Sequence, residues 1–273
     1  MNDTLAKQEL RFNFGKNWRR FITNLTEEQI IKAETSLKLM LKAETLAGKK
    51  FLDIGSGSGL FSLAAMRLGA SYVRSFDHDM QSVHCALELK RRFFADSNVW
   101  EIEQGSALDE SYLKSLGKFD IVYSWGVLHH TGNLQKALQN VLVPLETGGM
   151  LFISIYNDQG RTSRIWTKIK RFYNALPREL RFTVLFPSFF VIYGTNIAKS
   201  ILRGHSMNYW KTYGKDRGMS PWTDLVDWVG GYPFEVAKPD DLVEFYLSKG
   251  LELRRLKTMG GGRGCNEFVF QKG

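Results

Sequence analysis

At 273 residues and 44 % hydrophobic content, the chain has the length for one large α/β domain with additions and the apolar content for a real core. Its two cysteines, Cys85 and Cys265, lie far apart, which excludes a disulfide framework, a cysteine-zinc cluster and a C-x-x-C redox motif, and makes a reducing cytoplasm the expected setting. The formal net charge of +9 points to an anionic partner, whether phosphates, lipid headgroups or nucleic acid.

Met1 to Leu10 is polar and lacks the apolar core of a signal peptide. Phe12 to Phe21 mixes aromatic and basic residues. It reads as a docking segment packed on the domain or as a lid, with Trp18 as the covering residue. Glu27 to Ala47 is expected to be helical, with Thr26 as N-cap and Ile30, Ile31, Leu37, Met40 and Leu41 at helical intervals. Residues 1–47 therefore form an N-terminal helical extension, and the main fold occupies 48–273.

FLDIGSGSGL (51–60) reads as a buried strand, a glycine turn and a helix start. Gly55, Gly57 and Gly59 permit positive φ and close ligand approach, and the helix directs free N–H groups at the loop. A dinucleotide fingerprint wants G-x-G-x-x-G/A, but the sixth position here is Leu60. SYVRSFD (71–77) is a short strand ending in Asp77, an acid at the distance that ribose hydroxyls require. A third strand and loop follow at 99–108, with Gly105-Ser-Ala107 at the turn. A fourth strand and its continuation run from Lys118 to Thr131. VPLETGGMLFISI (143–155) leads into the fifth. Helices are expected near Leu60–Leu68, Met80–Arg92 and Leu134–Val143. After strand five, residues 157–233 form an insertion. A helix over 238–247 and strands over 251–257 and 267–271 close the chain.

Together, D-x-G-x-G-x-G at Asp53 to Gly59, the acid at Asp77, Gly105-Ser-Ala107, the strand-four segment with Leu-His-His at 128–130 and the glycine run before strand five resemble the class I S-adenosylmethionine (SAM) methyltransferases. The resemblance covers roughly residues 48 to 157. It implies an α/β, doubly wound, seven-stranded Rossmann-like sheet, here with an N-terminal helical extension and a helical insertion after strand five. It implies SAM as cofactor, held by Asp53, Gly55, Ser56, Gly57, Gly59, Asp77, His78, Ser106, Ala107, Ser124 and Trp125. In the family, the acid at Asp53's position helps hold the methionine ammonium. Where the family often has G-D-A, this chain has Ser106, so adenine contact falls to Ser106 or to backbone.

The insertion carries the charge. Twelve basic residues against three acids between Asn157 and Ser220 equal the net charge of the whole chain. Beside them, Phe182 to Ala198 contains no charged residue. Pro187 and Gly194 make it a poor spanning helix, while the basic flanks suit an interfacial element. Peripheral membrane contact through residues 161–203, at the inner face of a membrane, is one expectation. A buried helical cap or a dimer surface is the other, and nucleic acid ranks behind both. The insertion emerges at the carboxyl ends of the strands, where ligands bind. Asp224, Asp227 and Tyr232 are further candidates to line the pocket. Trp18, Tyr156, Tyr232 and Arg263 are the expected acceptor contacts.

SAM is already activated, so the protein mainly aligns nucleophile, methyl and sulfur. A hydroxyl nucleophile gains from a general base, and His129 and His130 follow strand four with a suitable pKa. His129 is the preferred base. No metal site is expected, since adjacent histidine side chains are taken to point apart. The segment Ser124-Trp-Gly-Val127 lacks the N-P-P-Y pattern of amino methylation. The expectation is O-methylation of a small amphiphilic or anionic metabolite, with a lipid-, sugar- or quinone-type acceptor. The alternatives are an RNA methyltransferase using the basic insertion, and a non-catalytic SAM-binding subunit that docks on a membrane or partner.

Overall fold

A computed structural model describes residues 12, 14–202 and 221–273. In chain order the elements are α1 (Gly15–Thr23), α2 (Glu27–Leu41), β1 (Lys50–Ile54), α3 (Leu60–Arg67), β2 (Tyr72–Asp77), α4 (Met80–Phe93), β3 (Trp100–Gln104), α5 (Glu110–Ser115), β4 (Phe119–Trp125), a 3-10 turn (Leu128–His130), α6 (Leu134–Asn140), β5 (Leu145–Tyr156), α7 (Arg161–Ala175), a 3-10 turn (Arg178–Leu180), α8 (Phe182–Leu202), α9 (Pro221–Gly230), α10 (Pro239–Leu247), β6 (Leu251–Lys257) and β7 (Cys265–Lys272).

The seven strands form one sheet in the order β3-β2-β1-β4-β5-β7-β6. β1 to β5 are parallel, and β7 runs antiparallel to both β5 and β6. The order reverses between β1 and β4, so their carboxyl ends flank the crevice where doubly wound sheets bind ligands. Every residue from Phe51 to Ile54 is buried, as expected of a strand covered on both faces. Phe51, Tyr123, Phe152 and Val269 meet α2, α3 and α4 on one side. Leu52, Ile54, Val122 and Ile153 meet α5, α6 and α10 on the other.

Local signals set the helix ends. Thr26 and Gln29 form a reciprocal capping box that starts α2. Asp79, Asp109 and Asn133 accept from backbone N–H groups to start α4, α5 and α6. α2 stops at Leu41 rather than running to Ala47, because Lys42 turns into the left-handed region at φ 51°. α6 likewise ends at Asn140, before the expected Val143. α8 is one helix through both Pro187 and Gly194, which the sequence marks as interruptions. No described helix is long and apolar enough to cross a membrane.

The insertion builds a third core. Trp166 and Tyr173 of α7, Val184, Leu185 and Tyr193 of α8, and Leu225 and Val229 of α9 pack together with Phe234. This cap reaches the sheet at the carboxyl end of β5, through Tyr156 and the bridge between Asn157 and Ala237. Arg203, Lys211, Lys215 and Arg217, part of the basic run, lie outside the described residues.

Candidate functional site

The glycine loop leaves β1 in a conformation only its glycines adopt easily. Gly55, Gly57 and Gly59 have φ of 77°, 53° and 82°. Gly55 and Ser56 donate backbone N–H bonds to the Phe76 carbonyl at 2.8 and 3.0 Å, which pins the loop to β2. Space is as restrictive as torsion. A Cβ on Gly57 would lie 3.0 Å from the Trp18 indole, and one on Gly55 would overlap Val127. The Ser56 hydroxyl is buried beside this turn with no hydrogen-bond partner.

Asp77 closes β2 next to the loop. Its Oδ2 accepts from Gly57 N–H and its Oδ1 from Asp79 N–H, both at 2.9 Å. Burial pushes its pKa up to about 6, against the pull of those N–H groups. Each oxygen keeps acceptor capacity beyond the bond it makes. The neighbouring candidates are largely occupied with structure. Ser124 donates to the Ile54 carbonyl at 2.9 Å, binding β4 to β1. The Ser106 hydroxyl accepts from Leu108 N–H, the Ala107 carbonyl accepts from Asn140, and the His78 carbonyl accepts from Gln104. Trp125, at the end of β4, is exposed.

Asp53 turns away from the loop surface. It is buried under α3, where Ser62 donates to it at 2.5 Å. Trp100 donates to Ser75 and Ser75 to Ser62, so three donors run in series into one carboxylate. Burial lifts its pKa to about 7, only partly offset by the Ser62 bond.

The histidines sit one strand over. The His130 Nδ1–H donates to the Pro233 carbonyl at 2.6 Å. His129 is 0 % exposed, and its Nδ1 accepts from Tyr156 N–H at 3.3 Å. Burial first, then the His130 and Lys170 charges, hold its pKa well below the usual histidine range, so the ring is neutral. A neutral ring that accepts at Nδ1 carries its proton on Nε2. That nitrogen is buried and has no partner. The role expected from sequence is corrected accordingly: His129 presents a hydrogen-bond donor, not a general base. The expectation that adjacent rings diverge also fails. The 3-10 turn brings the two ring centroids to 4.5 Å. Among the described residues no group of three or more His, Cys, Asp or Glu side chains could hold a metal ion.

Tyr156 packs at a tilt, 4.0 Å from the His129 ring centroid, and lies 5.2 Å from both Trp228 and Phe234. Into this aromatic wall projects Lys170, buried completely. It donates to the Trp228 carbonyl and lies 4.4 and 4.6 Å over the Trp228 and Phe234 rings. Desolvation lowers its pKa to about 7, while Asp227 pulls the other way. Asp227 is raised to about 7, by burial first and Asp224 next, and accepts from Asn17.

The N-terminal segment touches both halves. Gly15 N–H bonds Asp79 at 2.9 Å, Trp18 covers Gly57, Asn17 reaches Asp227, and Phe12 N–H bonds the Tyr232 carbonyl at 3.0 Å. Arg263 donates to the Ile192 carbonyl at 3.2 Å and straps its loop to α8. Sequence reasoning missed Lys170, Asn17, Val127 and Trp228. Lys170 had a signal: it falls on the same helical face as Ser163, Trp166 and Tyr173, where a lysine is out of place.

Comparison with known proteins agrees with this fold. Residues 46–208 match a family model described as a methyltransferase domain. A ubiquinone biosynthesis O-methyltransferase from Pelagibacter ubique is 30 % identical over 131 residues, 48 % of this chain and 50 % of that protein. A ribosomal protein L11 methyltransferase from Prochlorococcus marinus is 40 % identical over 120 residues, 44 % of this chain and 39 % of that one. The chain thus spans about half the length, or less, of these relatives. The crystal structure of magnesium protoporphyrin IX methyltransferase from Synechocystis PCC 6803 with bound SAH aligns over 100 % of both chains, with a TM-score of 0.56 and 16 % identity, a likeness of fold.

Proposed function

This chain belongs to the SAM-dependent methyltransferase family, and we propose on that premise that it methylates an oxygen of a small acceptor held between the end of β4 and the α7–α9 cap. The bound cofactor supplies a methyl group activated on sulfonium sulfur. The residues here fit it. Asp77 has lone pairs to spare for ribose hydroxyls, the Ser56 hydroxyl lacks a partner, and a Cβ on Gly57 would press on Trp18.

The observation that carries the acceptor side is the unpartnered Nε2–H of His129, buried in the 3-10 turn after β4. A buried donor without a partner costs about 1–3 kcal/mol, and a hydrogen-bond acceptor such as a hydroxyl oxygen removes the cost. In this reading His129 orients the acceptor oxygen. Asp227, whose pKa of about 7 suits the task, takes the hydroxyl proton as the new C–O bond forms and the methyl–sulfur bond breaks to release the thioether. Lys170 keeps Asp227 ionisable from behind. The named relatives act on both small-molecule and protein acceptors, so the small acceptor is read from the buried, aromatic-walled site and not from them.

The test has two stages. Calorimetry with SAM, S-adenosylhomocysteine and NAD should show binding of the first two only. Incubating the protein and methyl-labelled SAM with a cell extract should then place label in a low-molecular-weight product, and Asp227→Asn should lower that yield. Preference for NAD, or label confined to RNA or protein, would overturn the reading.

A further inference from the structure

The outer surface of the cap has a composition that neither the fold nor methyl transfer requires. On α8, Phe182, Phe186 and Phe190 are 63, 67 and 54 % exposed, and Val191 is 64 % exposed. The three phenylalanines are spaced four apart, so they line one face of the helix. Phe186 and Phe190 lie 5.1 Å apart. Leu180 just before them, and Ile165 and Phe172 on α7, are also exposed. At about 200 Å² per phenylalanine, the three on α8 alone present roughly 350–400 Å² of aromatic surface, already the size of a patch that marks an interaction site.

The exposed charges elsewhere on the cap are mostly basic. On α7 and the turn after it, Arg161, Arg164, Lys168, Arg171 and Arg178 are exposed. Residues 161–202 contain a single acid, Glu179. α7 and α8 share one core, so what they leave outside lies on the same cap.

We propose that this surface docks the enzyme on an anionic lipid bilayer, with α8 lying in the interface and the α7 cations on lipid headgroups. Three observations favour that occupant. An apolar stripe beside basic residues is the pattern of interfacial helices, which sink their aromatics to the acyl boundary while cations meet anionic headgroups. No described helix is long and apolar enough to cross a bilayer, and a stripe along one face of a helix suits contact from one side. A second copy of this chain would bring two basic rims together, which opposes pairing through the same face. Nucleic acid would use the cations, but the exposed stripe from Phe182 to Val191 has no charge to offer a phosphate. The proposal does not depend on the acceptor being identified.

Sedimentation of the full-length protein with vesicles tests it. Phosphatidylcholine–phosphatidylserine vesicles should carry the protein down, and phosphatidylcholine alone should do so weakly. The triple variant Phe182→Ser, Phe186→Ser, Phe190→Ser should lower vesicle affinity about tenfold or more. The triple variant Arg164→Glu, Lys168→Glu, Arg171→Glu should remove the preference for phosphatidylserine. All six side chains are exposed, and unchanged SAM binding would show that both variants are folded. Equal binding by wild type and the serine variant, or no sedimentation of wild type, would overturn the proposal. So would a wild-type dimer that the serine variant converts to monomer, or RNA binding that displaces the vesicles.

Discussion

A single carboxylate can hold a ligand or hold a fold, and Asp53 is where the two separate by experiment. Its pKa is near 7 in the folded chain against the usual 3.8, so the fold binds its proton more tightly than the unfolded chain does. The associated stability is present below pH 3.8 and is lost as pH rises through 7. Asp53→Asn keeps an acceptor for Ser62 without the buried charge. Thermal melts of the apo-protein should show the variant about 2–4 kcal/mol more stable than wild type at pH 8, with the gap closing by pH 4. If Asp53 also meets the cofactor's ammonium, calorimetry on the same variant will show weaker SAM binding, and unchanged affinity would assign it to the fold alone. Gly57 gives the opposite kind of case. Gly57→Ala must place a Cβ 3.0 Å from Trp18 at φ 53°, so SAM affinity should fall about a hundredfold. Pairing it with Trp18→Ala relieves only the clash, and a full rescue by that pairing would show that torsion is irrelevant.

At the scale of elements, α7 and α9 are joined by Lys170, a charge that the cap would be more stable without. With its pKa lowered from 10.5 to about 7, the penalty is full below pH 7 and fades as pH rises through 10.5. Lys170→Met fills the aromatic wall but leaves the Trp228 carbonyl without its donor, a loss of about 1–3 kcal/mol that offsets part of the gain. The variant should melt at or above the wild-type temperature at pH 7 yet turn over at least about tenfold more slowly. Its rate should rise with pH along a limb displaced upward, because Asp227 has lost the cation that lowers its pKa. A slow variant with an unmoved limb would make Lys170 a packing residue. The elements themselves were unequally legible. β1, β2 and the loop between them follow from an apolar run, spaced glycines and a terminal acid, all local. The Lys42 stop of α2 has no such mark, since lysine rarely adopts φ 51°. The cap is worse still. Lys170 meets Trp228 across 58 residues and Asn17 meets Asp227 across 210, and no periodicity in a window reports such pairs. The base assignment failed for a related reason, since it turned on a backbone N–H from β5 that occupies one nitrogen of His129.

For the whole molecule, the N-terminal segment matters more than its marginal position suggests. α1 packs on α4, and its residues reach from the glycine loop at Trp18 to the cap at Asp227. The proposed cofactor and acceptor sides therefore share one short element, and any effect of one ligand on the other's affinity through it is reciprocal. Hydrogen exchange makes this measurable. S-adenosylhomocysteine should slow exchange in the glycine loop, in residues 14–23 and, with no ligand bound to the cap, in residues 221–232. Asn17→Ala removes the bond to Asp227 but leaves Trp18 over Gly57, so protection should then stop at α1. Protection of α9 that survives in the variant would mean the coupling runs through the sheet, by way of Tyr156 and the His129 turn. Protection confined to the loop in wild type would mean the two sites bind independently, and Trp18 would then be a cover for the cofactor alone.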